Sequence, residues 1–195
     1  MGLIVKQADD TKDFPMPSSG PHAARCYQVV DLGIKEKGGQ YPGKAHKIRL
    51  AFEIDELMED GRPFSISETL TMSLNEKAKL YQRLVSWRGR AFTDEELEAF
   101  DLKKLINAPC LINVIINESG GKHYANINSI TPLPKSMKAE ALRNEPLVWE
   151  YGDARSKLPE WLDSYIGEDP TPKDASDSYG DVVGQDDLDS DDIPF

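Results

Sequence analysis

No stretch of this 195-residue chain approaches the ~18 consecutive apolar residues that a membrane-spanning helix requires, which excludes a helical membrane protein. Leu3-Ile4-Val5 is followed at once by Lys6 and is too short for a signal peptide. Lys6 also stands where an N-myristoylation pattern wants Ser or Thr. Cysteine is scarce. Cys26 and Cys110 both sit in apolar surroundings, outside any C-x-x-C pair, so free buried thiols and a reducing cytoplasm are expected. Histidine is equally sparse, and His22, His46 and His123 lack metal-ligand spacing, so neither a metal nor a cofactor is expected.

What the chain has in excess is acid, but only at one end. The formal net charge is -11. From Glu168 onward, ten acids face one base, Lys173, whereas residues 1–135 hold 18 acids and 18 bases. A segment so charged, with Pro170, Pro172, Gly180 and Gly184 and no apolar periodicity, cannot offset its ordering entropy and is expected to be disordered over 168–195. The body is neutral, so the acidic balance does not exclude a nucleic-acid surface on it.

Pro15, Pro17 and Pro21 mark residues 1–22 as an extended arm. Strands are expected at 25–33, at 46–54, where Ile48, Leu50, Phe52 and Ile54 alternate with Lys47, Arg49, Ala51 and Glu53, and at 64–74. Glu68 breaks the phase of the third and suggests a bulge. Capping boxes at Ser73/Glu76 and Thr93/Glu96 open two helices, with Gly89 stopping the first and Phe92 and Leu97 placed as a staple on the second. Strands at 109–117 and 123–131, joined through Gly120-Gly121, form a hairpin. Three strands, a helical insertion and a hairpin is the order of the OB-fold. The expectation is therefore a mainly β chain with one five-stranded Greek-key barrel over 23–135 and a helical insertion between strands 3 and 4. A partly helical extension follows over 136–167, with Pro159 opening a short helix whose Trp161, Leu162, Tyr165 and Ile166 form an apolar face that packs on the barrel or on another subunit.

The last ten residues, Asp186-Asp187-Leu188-Asp189-Ser190-Asp191-Asp192-Ile193-Pro194-Phe195, closely resemble the C-terminal tip of bacterial single-stranded DNA-binding proteins. Ile193 and Phe195 are apolar anchors, Pro194 restricts the backbone, and Asp191, Asp192 and the Phe195 carboxylate suit a basic pocket on a partner. The phrases Ala24-Arg25-Cys26-Tyr27-Gln28-Val29-Val30-Asp31-Leu32-Gly33, Ser86-Trp87-Arg88-Gly89-Arg90-Ala91-Phe92 and Tyr124-Ala125-Asn126-Ile127-Asn128 resemble a family of small phage and prophage proteins. That resemblance implies single-stranded DNA binding in replication and recombination, in the cytoplasm of a bacterial host whose replication and repair proteins dock on the tip. The body is unlike the housekeeping protein, so tetramer formation does not carry over, although a homo-oligomer is compatible.

A single-strand binder needs cations for phosphates and aromatic faces for bases. With Cys26, Val30 and Leu32 buried, Arg25 and Tyr27 are expected to point outward, beside Lys47 and Arg49. The loop after strand 1 offers Tyr41 and Lys44, and the last hairpin Lys122 and Tyr124. Trp149 or Trp161 stacking on DNA is the weaker alternative. An enzyme is not expected. Gly38-Gly39-Gln40-Tyr41-Pro42-Gly43-Lys44-Ala45 nearly spells a P-loop, but Ala45 lacks the magnesium-binding hydroxyl and a strand follows where a helix N-terminus is required. Asp94-Glu95-Glu96 is explained by the helix dipole. The competing readings are an interaction protein that occupies host docking sites with little DNA binding, and a strand-annealing accessory.

Overall fold

The computed structural model describes residues 15–37 and 43–171. Most of the N-terminal arm, Tyr41 and the tail with Asp191, Asp192, Ile193, Pro194 and Phe195 lie outside the described residues.

The chain is mainly β. Strands β1 (Gly20–Glu36), β2 (Lys44–Leu57), β3 (Pro63–Thr71), β4 (Pro109–Ser119) and β5 (Lys122–Thr131) are antiparallel neighbours in the order β3-β2-β1-β4-β5. A sixth, β6 (Leu147–Trp149), lies parallel to β1 at Gln28, Val29 and Val30. Alternation in β2 sends Ile48, Leu50, Phe52 and Ile54 into the main core with Ile66, Leu70, Ile112 and Ile130. The β4–β5 hairpin closes on Gly120 and Gly121, at φ 57° and 74°, the left-handed pair that a two-residue turn demands.

β1 departs from simple alternation. Its pairing with β2 slips between Cys26 and Gln28 and again between Asp31 and Gly33, leaving Tyr27 and Leu32 as extra residues. The slip at Tyr27 reverses the phase, because strand side chains repeat every second residue. Cys26 and Val29 therefore face the main core, while Val30 and Leu32 face the opposite side. β1 also begins at Gly20, so the arm gives way to strand before Ala23.

Between β3 and β4 come α1 (Lys79–Arg88), α2 (Asp94–Glu98) and a 3-10 turn (Leu102–Leu105). Gly89, at φ 69°, ends α1, and Thr93 and Glu96 form the reciprocal capping box on α2. The Ser73 box does not form. Ser73 Oγ accepts from the Asn75 amide and Asn75 Oδ1 from the Lys77 amide, a local turn that delays α1 until Lys79. β3 accordingly stops at Thr71. Glu68 sits in register opposite Leu50, without a bulge. It keeps the inward phase because Arg83 of α1 meets it through two nitrogens, at 3.0 and 2.9 Å, and Lys79 at 2.9 Å. Arg83 also donates to the carbonyls of Ile127 and Asn128, tying β3 to β5 across the open side of the sheet.

Residues 132–168 form a strap over the outer side of β1 and β2. Glu53 accepts hydrogen bonds from the Arg143 and Asn144 amides. Trp149, Leu158 and Leu162 bury a second apolar cluster against Val30 and Leu32. The strap ends on a clasp, where the Gly167 amide donates to Leu32 O and Glu168 and Ile34 exchange two backbone bonds of 2.9 Å. Among the described residues no helix is long and apolar enough to cross a membrane.

Candidate nucleic-acid interface

The outward residues of β1 and β2 were the sequence-derived candidates, and the strap changes what they can touch. Tyr27 is only 9 % exposed, so the expectation that it projects into solvent is corrected; its place at the bulge and beneath the strap is the reason. Arg25 does lie on the outer side, but its guanidinium is spent on the carbonyls of Asn107, Ala139 and Glu140, holding the start of the strap. Lys47 is buried, and its Nζ donates to Thr71 Oγ1 at 3.0 Å on β3. Burial of the β2 outer face continues through Ala51 and Glu53.

Arg49 is the exception that reaches the surface layer. Its guanidinium carbon lies 5.1 Å from the centre of the Trp161 ring, which is carried by α3 (Glu160–Asp163) of the strap. Nη1 of Arg49 is buried without a hydrogen-bond partner. Burial pulls this guanidinium below its ordinary value, while Tyr27 and Tyr165 nearby act in the opposite sense. A cation partly stripped of water, with a donor unmet, favours an incoming anion.

The end of β1 and the start of β2 add more cations. Lys35 Nζ donates to Tyr165 O at 2.6 Å and lies 5.1 Å from the Tyr165 ring centre. Lys44 pairs with Glu168 at 2.6 Å, and His46 Nε2 lies 2.6 Å from Asp31 Oδ1. Arg49, Lys35 and Lys44 thus gather under and beside α3.

Lys122 and Tyr124 are exposed, as expected, but on a different part of the molecule. The register pairs Gly20 with Val114, so the β4–β5 tip runs out beyond the start of β1, whereas Lys35 and Lys44 stand at its other end. The structure therefore separates the two groups of candidates along a 17-residue strand. The residues undervalued by sequence reasoning are Trp161 and Tyr165, 51 % and 57 % exposed, against 6 % for Trp87 and 2 % for Trp149. The sequence offers no local signal for this, because helical spacing groups Trp161, Leu162, Tyr165 and Ile166 on one packed face, whereas α3 ends at Asp163 and only Leu162 is fully buried.

A separate concavity of about 360 Å³ lies between α1, α2 and the following 3-10 turn, against Trp87, Arg88, Phe100 and Lys104. Arg88 there is held between the rings of Phe92 and Phe100 and pairs with Glu96. Arg90, then Arg88 and the Thr93 amide, keep the Glu96 carboxyl well below the usual range, an arrangement that caps α2. Both cysteines are free and buried, and burial pushes the Cys26 thiol up to about 12. Among the described residues no cluster of three or more His, Cys, Asp or Glu side chains could hold a metal ion. No family model and no curated protein matches the chain.

Proposed function

We propose that the chain is a non-enzymatic single-stranded DNA-binding protein of phage type, built on an OB-fold with a helical insertion. The observation that carries this reading is the strand order β3-β2-β1-β4-β5 combined with cations along the outer side of β1 and β2. That order is the one of the OB-fold, whose outer strands and loops hold oligonucleotides. The two resemblances support the biological setting. In this reading the body coats single strands during replication and recombination, in the cytoplasm of a bacterial host. The acidic segment from Asp186 to Phe195 recruits the host's replication and repair proteins.

The test is equilibrium binding of the full chain to a labelled single strand, competed with the same strand and with its duplex, over a salt series. Single strands should compete far better than duplex. The log–log salt slope should be negative, with about 0.7 per phosphate neutralised. Equal competition by duplex, or no binding at low salt, would overturn the proposal.

A further inference from the structure

The strap leaves two large rings in water above a layer of cations, and the rest of the fold does not account for them. Leu162 is fully buried and anchors α3 on Val30 and Leu32. Trp161, in α3, and Tyr165, in the turn that follows it, are lifted off the surface on either side of that anchor in sequence. Each exposes more than half its area, whereas Trp87 and Trp149 are buried. Beneath them stand Arg49, under Trp161, and Lys35, under Tyr165. The nearby acids have partners of their own: Asp163 pairs with Arg155 and Glu168 with Lys44, and Asp31 Oδ1 lies 2.6 Å from His46 Nε2. Only the exposed Glu160 adds negative charge on α3 without an ion pair among the described residues. The patch is apolar on top and cationic below.

We infer that Trp161 and Tyr165 are the base-stacking platform of the protein, with Arg49 and Lys35 holding the phosphates of the same single DNA strand; this rests on the single-strand reading above and moves its site from the barrel to the strap. Ring geometry sets what can bind. The two ring centres are 6.4 Å apart and the planes are inclined by 75°. Two bases lying flat on these rings cannot be parallel to each other. Successive bases must therefore unstack and splay, which an unpaired strand does readily and a duplex does not. The Arg49 guanidinium and Lys35 Nζ each lie 5.1 Å from a ring centre, and Arg49 Nη1 is a buried donor with no present acceptor. Stacking of this kind tolerates any base, so the platform implies little sequence preference.

Tryptophan fluorescence of the full chain, titrated with an oligodeoxythymidylate, isolates the platform because Trp161 is the exposed tryptophan. Binding should quench the emission. Trp161→Ala should weaken binding about tenfold or more and abolish the quench that remains at saturating DNA, and Tyr165→Ala should weaken binding comparably. Both residues are surface-exposed, so circular dichroism should show an unchanged fold. Single-strand affinity unchanged in both variants would overturn the platform while leaving the single-strand reading intact; absence of binding by the parent chain would overturn both. A dimer in the parent that Trp161→Ala turns into a monomer, with DNA affinity unchanged, would assign the rings to a second copy of the chain and refute the inference.

Discussion

Replacing Leu162 by Ala should open the strap while the main sheet stays folded. Leu162 is fully buried in a cluster made of Val30, Leu32, Trp149 and Leu158, with Leu147, Tyr151 and Ile166 at its margin. None of the five central residues belongs to the main core inside the sheet. Truncating a buried leucine costs about 2–5 kcal/mol through lost transfer energy and the cavity left behind. A loss of about 3 kcal/mol raises the opening constant of the strap on the order of a hundredfold. Hydrogen exchange reads this directly. The amides of Gly167 and Glu168, bonded to Leu32 and Ile34, should exchange on that scale faster, whereas the amides of β2 and β4 in the main core should not. Gly33→Ala approaches the same clasp from below. At φ +68° a Cβ would lie 2.4 Å from Glu168 O and 2.7 Å from the Tyr151 ring, so the strap end must lift. Both variants should lose single-strand affinity by misplacing α3. Uniform acceleration of exchange across strap and main sheet in both variants would refute the division into two cores.

Glu68→Ala should destabilise the whole chain by about 3–5 kcal/mol in urea unfolding, because Arg83, 14 % exposed at its side chain, loses its carboxylate while remaining inside; a cost under about 1 kcal/mol would show that the ion pair does not close the sheet. Native Cys26 and Cys110 should resist thiol reagents at pH 8 and react only on unfolding. Since burial raises the Cys26 pKa from 9.0 to about 12 in the folded chain, its contribution is intact below pH 9 and is lost as the pH rises toward 12. The slope is up to about 1.4 kcal/mol per pH unit, and an unfolding midpoint whose pH dependence is unaltered by Cys26→Ala would refute this. Removing residues 172–195, which hold eight Asp and one Lys, should tighten single-strand binding at low salt and have little effect at high salt. Equal affinity of the shortened and full chains at low salt would mean that the acids do not compete with DNA.

Much of the β sheet is legible in the sequence because its signals are local. The alternation around Ile48 to Ile54, the Gly120-Gly121 turn, the Gly89 stop and the Thr93 box each act through neighbours in the chain, and each forms as read. The misreadings arise where distant partners decide. Glu68 looks out of place until Arg83 and Lys79 of α1 meet it. Tyr27 looks outward until the bulge shifts β1 by one residue and the strap descends on it. One local sign of that cover was present. Cys26-Tyr27-Gln28-Val29-Val30 is apolar on both faces rather than alternating, as expected of a strand buried on both sides.

On the platform reading, the cations of β2 need not touch bases. Lys47 and Arg49 project from the outer side of β2, as alternation requires, but the strap of residues 132–168 lies over that side. Arg49 gets through only as far as the underside of the Trp161 ring. On that reading the ligand surface is one layer farther out, with its rings on α3 and the turn after it and its charge supplied from below. Charge and stacking then act through different side chains: Arg49 and Lys35 should govern the salt dependence of binding, and Trp161 and Tyr165 its magnitude at fixed salt. A barrel that stacked bases directly on β2 would not separate the two, because the same strand would carry both.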